Sequence, residues 1–167
     1  MVVKVTPKFS YLQIKNIVLM HQEKIEQAIL MRLQKTGEEF VTSARTNGSY
    51  QDQTGNLRNS IGYIILKDGK QLFDNFKRSA TVTKTLKSGK TKATAGANEG
   101  VSVGKRVAKE VAQRFPTGFV LICVAGMDYA AAVESKGKDV ITASSKIAEV
   151  SLRLALQTIS SKISRMK

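Results

Sequence analysis

Cys123 and His21 are the chain's single cysteine and single histidine, so a thiolate–imidazole nucleophile could be built only from this pair. They lie about a hundred residues apart, and nothing in their spacing brings them together. Structural roles are expected of both, with the cysteine serving as a small hydrophobe. One His and one Cys fall short of the donor set that zinc requires, so neither metal nor cofactor is expected. The run Gly100-Val101-Ser102-Val103-Gly104-Lys105-Arg106 has the outline of a phosphate-binding loop. It is one residue short between the glycines, however, and carries Arg where Ser or Thr would reach magnesium, so it is rejected. Glu38 and Glu39 are adjacent on a helical pattern and point roughly 100° apart, the wrong geometry for carboxylates sharing a site. Both are expected to be solvated. Glu134 follows an apolar segment and precedes Gly137. It is expected to cap a turn or to pair with a cation such as Arg58 rather than to move protons. No residue set here requires catalysis, and the chain reads as a non-enzyme.

The charge balance is the remaining chemical signal. Lys and Arg number 27 against 13 Asp and Glu, a formal net charge of +14. Such an excess favours an anionic neighbour without choosing among nucleic acid, lipid headgroups and acidic protein. It is uneven: from Lys67 to Thr117 there are twelve basic residues and four acidic, which is +8 of the total. Lys84, Lys87, Lys90 and Lys92 stand in its acid-free part, between Asp74 and Glu99. They are the candidate contacts to a partner or to DNA. Phosphate contact there would be salt-sensitive and without base specificity, since no recognition helix or aromatic stripe accompanies the lysines. Docking on an acidic protein surface and simple solvation are the competing roles.

The elements that must carry these residues follow from periodicity. Val3 and Val5 alternate before Pro7, as in an edge strand or an ordered arm. Ile14, Val18, Ile25, Ile29, Leu33, Phe40 and Ala44 recur at helical intervals from Ser10 onward, with Asn47-Gly48 as the stop and Gly37 as a candidate break. Ile61 to Leu66, Asp68-Gly69 and Gln71-Leu72-Phe73 read as a hairpin with a primed turn. Thr81 to Thr85 and Thr91 to Thr94 flank Ser88-Gly89. They form either a β-ribbon with a basic tip or, the favoured reading, a loop that orders on assembly, because Ser, Thr, Gly, Ala and Lys offer little to bury.

Val103, Val107 and Val111 make a short amphipathic helix, ended by Phe115-Pro116. The continuous run Phe119 to Val124 is expected to be the central strand, buried on both faces. Asp139 is the candidate N-cap of a final helix. That helix carries Val140, Ile147, Val150 and Leu154 on one stripe, with Leu152, Leu156, Ile159 and Ile163 on an adjoining one. Two apolar stripes on a helix suggest a core side and a partner side.

The 167 residues suit one domain with a basic insertion at about 77–117, large enough for a core without disulfides. No secretory h-region opens the chain and no apolar run approaches ~18 residues. Cytoplasmic synthesis without membrane insertion is therefore expected.

Between the first helix and the hairpin lies Gln53-Thr54-Gly55-Asn56-Leu57-Arg58-Asn59-Ser60-Ile61. Thr54-Gly55-Asn56 is a turn signal. Leu57 and Ile61, four apart, could both face the core on one helical turn while Arg58 faces outward. About seventy residues on comes Tyr129-Ala130-Ala131-Ala132-Val133-Glu134-Ser135-Lys136-Gly137. This pair of segments resembles the signature of the tail-completion, neck or head–tail joining proteins of long-tailed phages and prophages, similar to the lambdoid minor tail protein Z. The matching positions are Thr54, Gly55, Leu57, Arg58 and Ser60, then Tyr129, Glu134 and Gly137. The chain departs from the pattern in its long basic insertion and at Ser135-Lys136.

The resemblance implies a virion protein at the head–tail junction, assembled in the host cytoplasm. Copies would form a ring, commonly sixfold, in contact with connector, tail-terminator or tail-tube proteins. The expected fold is α+β, a small mostly antiparallel sheet flanked by long N-terminal and C-terminal helices. A nonspecific nucleic-acid-binding protein with a basic arm is the alternative.

Overall fold

A computed structural model describes residues 8–50, 54–78, 82–85, 91–94 and 98–165. Helix α1 (Tyr11–Asn47) opens with a reciprocal cap: Gln13 N donates to Ser10 Oγ at 3.3 Å, and Ser10 N donates to Gln13 Oε1 at 2.8 Å. Two of the orphan amides of the first turn are thereby satisfied. The helix stops at Asn47 as expected, but it does not break at Gly37. That glycine is buried, and a Cβ there would stand 2.6 Å from the Tyr63 ring. Glycine at this point answers close packing rather than a need for flexibility. The arm or strand expected around Val3 and Val5 lies outside the described residues.

After the one-turn helix α2 (Asn56–Ser60), strand β1 (Ile61–Lys67) runs into β2 (Lys70–Asn75) through Asp68 and Gly69, at φ 51° and 74°. Two consecutive positive φ values are the signature of the primed turn. Asp68 also fixes the hairpin tip to the next strand, since Gly118 N donates to its Oδ1 at 2.9 Å and Asp68 N donates to Gly118 O at 3.0 Å. Strand β5 (Phe119–Ala125) pairs antiparallel with the other side of β1, giving the order β2-β1-β5.

The expected central strand is therefore an edge. It is β1 that lies in the middle, with all six residues from Ile61 to Leu66 buried, whereas β5 buries only Ile122 and Val124. Both strands carry an apolar run, yet burial on both faces, expected of Phe119 to Val124, is complete in β1 and only partial in β5. Hydrogen bonding on both edges is a separate property that composition does not report.

Side-chain alternation along β1 divides the core into two layers. Ile61, Tyr63 and Ile65 pack with Leu33, Phe40, Val41 and Ala44 of α1, and with Ala148 of helix α5 (Thr142–Ser164). Ile64 and Leu66 face the other way, onto Ala108, Val107 and Val111 of helix α3 (Glu99–Ala112). Both long helices thus share one face of the sheet, and the short amphipathic helix covers the opposite one. This α3 begins earlier than its valines suggested and contains Gly100 and Gly104. The segment that resembled a phosphate loop is helix, with both glycines buried against α2 and the end of β1.

Residues Val82–Thr85 (β3) and Thr91–Thr94 (β4) form a two-stranded antiparallel ribbon. The favoured expectation of a loop is corrected at these positions. The β-branched Val82 and the threonines of both segments have strand preference, and the backbone ladder satisfies amides even where few apolar groups are available. Lys84 and Lys92 are partners in the ladder register. Lys87 and Lys90, with the Ser88-Gly89 turn, lie outside the described residues.

Candidate functional site

The first signature segment is a structural joint. Gly55, at φ 82°, precedes α2, and Asn56 N donates to Thr54 Oγ1 at 3.3 Å. Asn56 then reaches α3: its Nδ2 donates to Glu99 Oε2 at 2.8 Å and its Oδ1 accepts from Gly100 N at 3.3 Å. Leu57 is buried in the α1 and α5 core, and Ser60 is fully buried. Ser60 Oγ donates to Leu57 O at 2.8 Å, while Gly126 N, just past β5, donates to Ser60 O and Oγ.

Arg58 does not face outward as expected. It is half-buried, with its Nε enclosed, and its charge acts on Arg45. Burial lowers the pKa of Arg45, whose guanidinium donates from Nη2 to Ile61 O at 2.7 Å. The one-turn helix brings Arg58 close enough to α1 for its charge to be felt at Arg45, a relation that local periodicity cannot show.

The second segment forms helix α4 (Ala130–Ser135), preceded by the partly exposed Tyr129 and closed by Gly137, whose N donates to Glu134 O at 2.9 Å. Ala130 and Val133 pack into the cluster that holds Leu57. Both segments thus contribute side chains to one core cluster, and Glu134 and Gly137 also border a shallow hollow of about 240 Å³ with Lys138, Asp139 and Thr142.

Glu134 is the working carboxylate of this region, and its work is capping. Its Oε1 accepts from Val140 N at 3.2 Å, Ile141 N at 2.9 Å, Thr142 N at 3.0 Å and Thr142 Oγ1 at 3.0 Å. Of the two expected roles, turn capping is the one found, and Arg58 is not among the groups that hold Glu134. Asp139 is not the N-cap residue of α5, which is Ile141, though Asp139 Oδ1 still accepts from Ala143 N at 3.0 Å. Loop curvature brings a side chain from the preceding helix onto the amides that a local cap would have served.

Burial alone would raise the Glu134 pKa. The bonds from Ile141, Thr142 and Val140 outweigh it and hold the carboxyl below its ordinary range. We expect Glu134→Ala to lower stability by about 2 kcal/mol at pH 7, the upper part of the range for a lost cap. A folded pKa below the unfolded one gives stabilisation that is full above the unfolded value, near 4.3, and is lost as pH falls through the folded value. The difference between wild type and Glu134→Gln should therefore vanish in that acid range. Melting curves from pH 7 to pH 3 test this, and a difference that stays constant over the range refutes it.

Elsewhere the chemistry is quiet. His21 is exposed on α1 and is not brought to Cys123 on β5. Cys123 borders a hollow of about 220 Å³ with Phe40, Ala148 and Leu152, and burial pushes its thiol up to about 12. It is protonated at neutral pH and inert as a nucleophile. Glu38 and Glu39 diverge as expected, and each is exposed but also bonded. Glu38 Oε1 accepts from Tyr63 Oη at 3.0 Å and Asn75 Nδ2 at 2.6 Å, while Glu39 meets Lys35 at 3.8 Å and Ser151 Oγ at 3.3 Å. Among the described residues, no group of three or more His, Cys, Asp or Glu could hold a metal ion, and no helix is long and apolar enough to cross a membrane.

The unusual surfaces are apolar. Every residue from Tyr11 to Lys24 is exposed, among them seven large hydrophobic side chains. On α5, Ile147, Val150 and Leu154 are 59 to 61% exposed, whereas Ser144 and Ala148 are buried against α1. The helix is two-sided, but its sides are not the two expected stripes: Ile147, Val150 and Leu154 face out, Leu156 and Ile163 of the second stripe are exposed as well, and the core side is Ser144 and Ala148. Small residues on the inner stripe let α5 approach α1, where Ser144 Oγ donates to Ser43 Oγ at 2.9 Å. Farther along the pair, an open groove of about 500 Å³ has Ile25, Met31, Ile159 and Ile163 among its lining and Lys24, Arg32, Lys35 and Lys162 around it.

Periodicity revealed these stripes. Which of them faces water depended on where the sheet lies. Compared with protein-family models, curated proteins and solved structures, the chain matches none.

Proposed function

We propose that the chain is a non-enzymatic structural protein of tailed-phage or prophage virion morphogenesis, completing the tail or joining it to the head as part of a neck ring. The assignment to phage rests on the resemblance of the segments at Thr54–Ser60 and Tyr129–Gly137. The observation that carries the assembly role is the bare apolar surface at the start of α1 and on the outer stripe of α5. Monomeric soluble proteins rarely leave contiguous apolar patches larger than a few hundred Å². A cyclic ring joins two different surfaces of each copy, and bare apolar area on two helices leaves room for such contacts. Assembly would take place in the host cytoplasm, with connector, tail-terminator or tail-tube proteins as further partners.

Nucleic-acid binding is the second reading, favoured by the +14 charge and by Lys84 and Lys92 standing opposite each other in the ribbon ladder. Native mass measured across concentration, alone and with a tail-tube or connector partner, separates the two. A ring that forms with concentration or partner supports the structural role. A persistent monomer overturns it if DNA binding falls steeply with salt and is lost when Lys84, Lys87, Lys90 and Lys92 are changed to Gln.

A further inference from the structure

We infer that the first three turns of α1 are a self-association element, packing against the same segment of at least two other copies of this chain. This deepens the ring reading above and rests on it. Seven of the ten residues from Tyr11 to Met20 are large and apolar, with exposures from 45 to 78%. Their bare side chains amount to roughly 800 Å², about what one partner contributes to a standard protein interface and more than the largest patch of a typical monomer. The first residue of α1 that is not exposed is Ile25. The exposed fourteen residues before it therefore reach about 21 Å along the helix axis.

Distribution around the helix decides the kind of partner. At roughly 100° per residue, Tyr11 and Val18 share one side, Leu12 and Leu19 the next, Met20 the side opposite Tyr11, and Ile14 with Ile17 the fourth. A helix docking in a single groove, or lying on a membrane surface, has one apolar face and one polar face. Here a single neighbour would leave about half of the apolar area in water. Three or more helices around a common axis give each segment two neighbours and an apolar centre. Spanning a bilayer takes ~20 apolar residues, twice the length of this stretch.

Charge agrees. Tyr11 to Met20 contains Lys15 and no acidic residue, so copies can approach without an acidic partner. The remaining repulsion comes from the +14 charge of each chain and is screened by salt. Self-association should accordingly strengthen with salt, opposite to the trend for phosphate binding.

The test uses the full chain, as wild type, Ile14→Glu/Val18→Glu and Ile14→Leu/Val18→Leu, in sedimentation and native mass measurements. Wild type and the leucine variant should form species of three or more copies. The glutamate variant should self-associate at least about 100-fold more weakly, with its melting temperature unchanged because both positions lie outside the core. A glutamate variant that retains the oligomer overturns this contact while leaving the ring reading intact. A wild type that stays monomeric when alone, or stops at a dimer, overturns it as well, and the ring reading then stands or falls on assembly with a partner. Wild-type binding to phosphatidylglycerol vesicles, lost in the glutamate variant and without self-association in solution, would replace it with a membrane-surface role.

Discussion

Replacing Gly104 with alanine is expected to destabilise the protein by about 3 kcal/mol, although alanine is favoured over glycine within a helix by about 1 kcal/mol. Gly104 sits mid-helix in α3, where a Cβ would come within 2.5 Å of Ser60 O and 2.7 Å of the Phe76 ring. Ser60 O cannot easily move away, because it accepts from Gly126 N at 3.2 Å and belongs to the turn that enters the central strand. Gly126 is itself pressed against Gly104, since a Cβ on Gly126 would stand 2.5 Å from Gly104 Cα. The strain can be relieved only by lifting α3 from the sheet, which exposes Ile64, Leu66, Ala108 and Phe76. Overpacking of this kind costs about 1–3 kcal/mol and sometimes more. Chemical denaturation measures the effect. A stabilised Gly104→Ala variant would show that α3 does not lie this close.

Gly37→Ala should also lose about 3 kcal/mol, and here much of the loss should be recoverable. Its Cβ would meet three atoms of the Tyr63 ring at 2.6 to 2.7 Å. That ring is fully buried, lies 5.8 Å from the Phe73 ring in a stacked arrangement, and is tethered by its hydroxyl to Glu38. It has no room to swing away. Tyr63→Val alone should cost about 3 kcal/mol through the cavity it leaves. Combined with Gly37→Ala, it should cost at least about 1 kcal/mol less than the two single losses added together, because the added methyl occupies vacated space. Strict additivity in a double-mutant cycle would mean that α1 and β1 are not in contact at this point.

The two glycines explain how one small sheet holds helices on both faces. Gly37 brings α1 onto the Tyr63 face, and Gly104 brings α3 onto the Phe76 face. Each is a gap for a ring or a carbonyl. At Gly37 this replaces the expected candidate break, while Gly104 lies within the helix that the valines predicted. Both positions satisfy a distant residue, which no window of ten or fifteen residues contains.

The core occupies the C-terminal two-thirds of α1 and the N-terminal half of α5. Large apolar groups beyond it on those helices are exposed. Several ionisable groups make structural contacts. Glu134 caps α5. Glu26 holds Lys67 at 2.6 Å, and that hydrogen bond, together with one from Gln22, lowers its pKa. Lys105 meets Asp74 at 3.3 Å.

By itself the sequence determined the local terms of this protein. The cap at Ser10, the stop at Asn47, the primed turn at Asp68-Gly69, the amphipathic valines of α3 and the double stripes of α5 all follow from backbone preference and helical or strand period, which act within a few residues. Its composition set the charge and left no more than one cysteine and one histidine for chemistry. Tertiary structure alone decided the rest. It made β1 rather than β5 the central strand, since pairing on two edges depends on partners far along the chain. It turned Arg58 inward beside Arg45, and gave the capping of α5 to Glu134 instead of Asp139, because a carboxylate goes to whichever unpaired amides the folded loop presents. It also left the first turns of α1 without cover. Their periodicity is as apolar as that of the buried turns, and only the reach of the sheet and of α5 separates the part of the helix that lies in the core from the part that is exposed.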